Sequence, residues 1–361
     1  MRFDYCIGNP PYQEEQESVN GDNSKKNFAP PVYHIFMDAS YSVANVVELI
    51  HPARFLFNAG YTPQAWNEKM LNDEHIKVLF YEEDGHKVFP GLSTPLKGGV
   101  AITYRDSRKS FGAIRAYTKH SQVNAILHKV LNSYHFSSLI QIVYSRTSYR
   151  LTEEMHKDHP EARYKEDENG NNIGILSKSH DYDMSSNIME LLPFIFFEEK
   201  PEDGKEYIII LGRSDNKRVY KFIRKDYVST AENFNYYKVY INQANGNGEF
   251  GEKLSEPIIE KAGIGSTETF LSIGKFGTVN EAVALVKYIK TKFARTMLGV
   301  LKVTQNGNKP VWKYVPLQDF TDKSDIDWSK SIAEIDQQLY HKYHLTKEEI
   351  DFIETHVKEM A

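Results

Sequence analysis

Four consecutive residues near the start of the chain, Asn9-Pro10-Pro11-Tyr12, combine two hydrogen-bond acceptors, a rigid backbone and an aromatic ring. That set suits one difficult reaction, alkylation of an amino group carried by a heteroaromatic base. The lone pair of such a nitrogen is conjugated into the ring, which makes it a poor nucleophile. Two acceptors that take both N–H hydrogens favour a pyramidal nitrogen, whose lone pair can then attack a methyl sulfonium in line. The Asn9 side-chain oxygen and the Pro10 carbonyl are such a pair, and Pro10 and Pro11 fix the backbone so that little entropy is lost when they converge. Tyr12 offers a ring face for a base extruded from a duplex. A proline-rich turn closing a strand is the plainer reading of the same four letters, so position matters.

The elements around the tetrad favour the chemical reading. Residues 2–8 form an apolar run that stops at Gly8-Asn9-Pro10, which predicts a strand ending in a turn. A polar loop is expected over 13–27. A helical pattern follows Pro30-Pro31, with Val32, Ile35, Phe36 and Ala39 at three-to-four spacing. Strands are expected at 46–52, 75–81 and 98–106, with helices over 53–72 and 120–133. Alternating strands and helices argue for an α/β sheet with at least partly parallel strands. In such sheets the functional loops follow the carboxyl ends of strands, which is where the tetrad falls.

Beyond about residue 134 the pattern changes. Residues 157–187 are polar and rich in turn formers, and read as a flexible excursion. Strands are expected at 206–212, 219–228, 236–244 and 269–274, then one long helix over 279–301. The tail reads as two helices meeting at His344-Leu345, the second capped by Thr346 with Glu349 three residues later. A basic run, Arg213, Lys217, Arg218, Lys221, Arg224 and Lys225, surrounds Tyr220 and Phe222 and is a candidate surface for phosphates. A solvated strand surface explains it equally well. Lys290, Lys292 and Arg295 could also reach DNA, though Arg295 reads better as a fold determinant.

Net charge is −5, yet residues 201–320 hold 18 basic against 13 acidic side chains, and the final 41 hold 5 against 10. A basic block between acidic ends fits one polyanion-facing surface. The single cysteine, Cys6, excludes an internal disulfide and a cysteine zinc site. His156 and His159 sit in polar sequence without further clustered ligands, so no metal is expected. No apolar run approaches a membrane span, and a cytoplasmic protein is expected.

The segment FDYCIGNPPYQ resembles motif IV of the gamma-class N6-adenine DNA methyltransferases of bacterial restriction-modification systems. The stretches that follow keep that family's order: IHPARFL (50–56), then VFPGLSTPLKGGVAITYRD (88–106), which resembles the motif VIII region. In TaqI-like members the VFP phenylalanine stacks on the flipped base opposite the tyrosine, and the matching residue here is Phe89. Stretches between 200 and 361, such as YIKTKFARTMLGVLKVTQ, resemble target-recognition and C-terminal regions of the same methylases.

The resemblance implies a fold class and a division. A partial Rossmann-like α/β methyltransferase sheet (1–118) would be followed by a mixed α+β target-recognition domain (119–320) and a C-terminal helical segment (321–361). It implies an enzyme acting on double-stranded DNA with S-adenosylmethionine as co-substrate, and Asn9, Pro10, Pro11 and Tyr12 at the catalytic centre. It also exposes a gap. The family's glycine-rich cofactor loop precedes the tetrad by roughly a hundred residues, and no such loop stands there. GNGEFG (246–251), the only G-x-G-x-x-G in the sequence, meets Pro257 before a helix could form and reads as a polar loop. The expectation is a C-terminal portion that works with an upstream methyltransferase or nuclease polypeptide, or a recognition fragment inactive without one.

Overall fold

The computed structural model describes residues 2–13, 30–59, 61–91, 96, 98–215 and 217–360. Most of the polar stretch 13–27 lies outside the described residues. The chain divides into two compact units, Met1–His128 and Lys129–Ala361.

The first unit runs β1 (Phe3–Gly8), α1 (Tyr33–Val43), β2 (Ala44–Pro52), α2 (Gln64–Leu71), β3 (Ile76–Glu82), α3 (Gly85–Val88), β4 (Val100–Asp106) and α4 (Ser121–Leu131), which crosses the division. One sheet has the order β1-β2-β4-β3. β1 and β2 are parallel, with Cys6 opposite Val47, and β4 is antiparallel to both β2 and β3. The carboxyl ends of β1, β2 and β3 therefore share one edge of the sheet, and β4 starts from it. Side chains alternate along a strand, so Cys6, Val47 and Leu49 face one way. They pack with Tyr33, Met37, Phe55, Trp66 and Met70 from α1, the turn after β2 and α2. Phe3, Tyr5 and Ile7 face the other way and are 59%, 69% and 76% exposed. The expected helix over 53–72 is interrupted. A 3-10 turn (Ala53–Phe57) ends at Asn58 with φ of 52°, and Pro63 then precedes α2. A proline amide has no hydrogen to give to a continuous helix.

The second unit adds β5 (Val143–Tyr144), β6 (Arg150–Leu151), α5 (Glu153–Asp158), α6 (Ile188–Leu191), β7 (Tyr207–Ser214), β8 (Lys217–Arg224), β9 (Val228–Ser229), β10 (Tyr237–Asn242), β11 (Ile258–Glu260), β12 (Ile264–Ser266) and β13 (Phe270–Phe276). Helices α7 (Val279–Lys290), α8 (Lys292–Gly299), α9 (Ile332–Lys342) and α10 (Lys347–His356) complete it. Its larger sheets are β11-β10-β13-β5 and β12-β7-β8. The fold as a whole is mixed α/β.

Two features of this unit depart from the sequence reading. The polar segment 157–187 is anchored, with Ala162, Leu176 and Met184 buried in a core that also holds Met155, Ile188 and Ile210. Isolated apolar residues in polar sequence carry no periodicity, so pattern alone missed them. The helix over 279–301 is two helices. Thr291 is extended (φ −59°, ψ 148°) and its hydroxyl accepts the Ala294 N–H, which starts α8. The caps of α9 and α10 are reciprocal boxes, Ser331 with Glu334 and Thr346 with Glu349. Among the described residues no helix is long and apolar enough to cross a membrane.

Candidate active site

Asn9, Pro10, Pro11 and Tyr12 leave the carboxyl end of β1, the edge strand parallel to β2. The segment is closed at its far end, where the Val32 N–H donates to the Tyr12 carbonyl at 3.1 Å and Gln13 bridges Pro31. Asn9 is exposed and Tyr12 half-buried. Burial raises the Tyr12 pKa, and the adjacent Asn9 amide partly offsets this. The Tyr12 Oη is nonetheless enclosed without a well-formed hydrogen bond among the described residues. An amide and a hydroxyl thus share one small space with hydrogen-bonding capacity to spare.

A buried histidine stiffens the same edge from within. His51, near the end of β2, is fully buried and stacks on Tyr33 at 5.8 Å between ring centroids. Its Nδ1 lies 3.0 Å from the Pro52 carbonyl and its Nε2 2.9 Å from the Thr103 hydroxyl. A carbonyl only accepts, so Nδ1 carries the hydrogen and Nε2 accepts from Thr103. Burial pushes the pKa down to about 4, which keeps the ring neutral at pH 7. Nothing in the sequence reading singled out His51; its place at the end of a strand directly before a proline was the available signal.

Next along the edge, Gly98 and Gly99 have φ of 87° and 79°. A Cβ on Gly99 would lie 2.3 Å from the Glu82 carbonyl oxygen, and one on Gly98 would lie 3.0 Å from Arg54. The Ala53 N–H donates to the Gly99 carbonyl at 3.0 Å. Only glycine lets the chain enter β4 this close to the ends of β2 and β3. α3 opens with the Asp84 carboxylate accepting the His86 N–H, and its end presents Phe89, half-buried. Tyr12 and Phe89 thus follow strands that end at the same edge. Three strand spacings, about 14 Å, separate those two strands, and the Tyr12 and Phe89 rings form no ring pair among the described residues.

The basic run is spread along a hairpin. β7 and β8 pair in register, Arg213 with Arg218 and Tyr207 with Arg224. Arg213, Lys217 and Arg218 are exposed near the tip. Lys221 pairs with Glu198 at 3.1 Å, and Lys225 with Glu206 at 2.8 Å. Arg224 is committed to Asp158 and Asp226, each at 2.6 Å, and lies over the Tyr227 ring. The structure therefore brings Arg213, Lys217 and Arg218 together and ties Arg224 into an ion-pair network. Lys290 pairs with Glu256, Lys292 with Glu354, and Arg295 is buried, its Nη1 on the Glu252 carbonyl at 3.2 Å. These three hold the fold together.

The GNGEFG loop is already filled. The Asn247 and Gly248 N–H groups donate to the Glu252 carboxylate at 2.7 and 3.2 Å, and the buried Lys302 ammonium pairs with the same carboxylate. The chain's own side chain occupies the place where a bound anion would sit, so these residues do not fit the adenosyl cofactor. Among the described residues no three His, Cys, Asp or Glu side chains gather as a metal set. His156 is instead buried with Nε2 2.8 Å from the Asp181 carbonyl.

With the strand order and the tetrad in place, the comparisons can be set beside them. Residues 1–89 match the model of the Eco57I restriction-modification methylase family. The matched stretch holds β1 to α3, the tetrad and Phe89. No curated protein matches the chain. Among solved structures, the type IIG restriction endonuclease BpuSI is similar with a TM-score of 0.29 and 10% identity. That similarity covers 86% of this chain and 44% of the BpuSI chain, so the present chain spans under half of that protein's length.

Proposed function

We propose that the chain is the target-base and DNA-reading portion of a site-specific DNA adenine-N6 methyltransferase of a restriction-modification system, with S-adenosylmethionine as methyl donor. One observation carries this reading. The Asn9–Tyr12 tetrad stands at the carboxyl end of a parallel strand pair, inside the segment that matches the methylase family. A flipped adenine would stack on Tyr12, with Phe89 closing the other side from the same edge of the sheet. The Asn9 side-chain oxygen and the Pro10 carbonyl would accept the two N6 hydrogens, leaving the lone pair free for the methyl group. Arg213, Lys217 and Arg218 at the hairpin tip are the best-exposed candidates for backbone phosphates, and Lys221 and Lys225 would contribute only by exchanging carboxylate partners.

A second reading is favoured by the free edge of β1. This strand pairs on one side only among the described residues, while Phe3, Tyr5 and Ile7 on it and Ile35, Phe36 and Val43 on α1 are exposed. An upstream cofactor-binding polypeptide that adds a parallel strand to β1 would cover this apolar surface. In that reading the chain alone recognises DNA and methylates only when complemented. The test is methyl transfer to duplex DNA from tritiated S-adenosylmethionine, with and without a polypeptide carrying the glycine-rich loop. Transfer by the chain alone sinks the second reading; transfer under neither condition sinks the first.

A further inference from the structure

A cavity of about 470 Å³ opens at the amino end of β7, at the opposite end of the hairpin from Arg213, Lys217 and Arg218. Its charged lining is Lys200, Lys205, Lys225 and Glu206, so three ammonium groups face one carboxylate. Lys225 and Glu206 satisfy each other at 2.8 Å. Lys200 and Lys205 are exposed and form no close ion pair among the described residues, though their charge reaches Glu206 and Asp203 respectively. Thr230 and Asn235 add neutral donors, and Ile208 and Phe234 form an apolar floor.

The walls are held by backbone bonds. The Lys225 N–H donates to the Glu206 carbonyl at 2.9 Å, and the Gly263 N–H to the Phe234 carbonyl at 3.0 Å. Behind the floor Lys238 is fully buried. Its ammonium donates to the carbonyls of Phe234, Tyr236 and Lys261 at 3.0–3.1 Å, which pins the same turn. We infer that this cavity binds a phosphate group, held by Lys200 and Lys205 with Thr230 and Asn235 as hydrogen-bond donors. Lysine ammonium groups act as point charges on phosphate oxygens. The phosphate group belongs to either a DNA backbone ester or a free polyphosphate, and only the first source rests on the proposed function.

The full chain, the Lys200→Ala/Lys205→Ala variant and a Lys217→Ala/Arg218→Ala control are titrated with a 20-base-pair duplex at several salt concentrations and, separately, with tripolyphosphate in thermal unfolding. For a backbone ester, the cavity variant lowers the slope of log affinity against log salt by about 2, close to one unit per lost phosphate contact. For a free phosphate, tripolyphosphate raises the unfolding midpoint of wild type and of the tip control but not of the cavity variant. Either result supports the site. A wild type that ignores duplex DNA but shows lysine-dependent tripolyphosphate binding keeps the cavity and removes the DNA reading. An unchanged duplex slope, together with no tripolyphosphate effect or one that survives in the cavity variant, overturns it.

Discussion

The two units differ in how their strand edges and helix ends are finished. In the second, α7, α9 and α10 each begin with a reciprocal capping box, and its buried cations have partners, Lys302 on Glu252 and Lys238 on three carbonyls. In the first, an edge strand turns Phe3, Tyr5 and Ile7 outward, and the Tyr12 hydroxyl is enclosed without a well-formed hydrogen bond among the described residues. In the proposed function the first unit carries the tetrad and an open strand edge, and the second carries the hairpin and cavity offered to phosphates.

The sharpest way to break this contrast is at the tetrad. Asn9→Ala should lower methyl transfer at least about a hundredfold, the scale of losing one hydrogen bond aimed at the reacting group, with duplex binding by filter retention nearly unchanged. A parallel fall in binding would remove the acceptor role of Asn9.

Acid separates the units next. The folded His51 pKa is near 4 against an ordinary 6.5, so its stabilisation is whole above pH 6.5 and is lost as pH falls through about 4, about 3 kcal/mol in all. Asp336, pushed up to about 6 by burial against an ordinary 3.8, has the reverse sign; its contribution is whole below pH 3.8 and is lost as pH rises through 6. Urea unfolding followed by Trp66 should therefore weaken from pH 6.5 to 4 more than unfolding followed by Trp312, and His51→Gln should flatten the Trp66 profile. Equal acid sensitivity of the two tryptophans would erase the contrast.

Smaller effects sharpen it. Ile7→Glu should cut complementation by a cofactor-binding polypeptide at least about tenfold, roughly the value of burying one large apolar side chain, while leaving urea midpoints in place. Thr346→Ala should cost the second unit about 1 kcal/mol in urea unfolding, the usual worth of a lost cap, with no change reported by Trp66.

How far the sequence revealed this molecule depended on the range of each signal. The turn at Asn9-Pro10 and the box at Thr346/Glu349 were readable because the residues that make them are adjacent or three apart. The break at Thr291 was not, because Leu285, Ile289, Phe293 and Met297 keep helical spacing across it. Arg224 looked available for phosphates in the sequence because one of its two carboxylate partners, Asp158, lies 66 positions away. Lys200 and Lys205 escaped notice because the cavity is assembled from turns near 200, 225, 235 and 263. His51 gave only its place before Pro52 at a strand end, since its neutrality follows from burial that only packing creates.

One measurement tests the central claim most directly: mass spectrometry of nucleosides from duplex DNA incubated with S-adenosylmethionine, this chain and a polypeptide bearing the glycine-rich cofactor loop. The account predicts N6-methyladenine that disappears with Asn9→Ala, and a requirement for both polypeptides marks the second reading. Methylation confined to cytosine, or N6-methyladenine that persists in the Asn9→Ala variant, would contradict it.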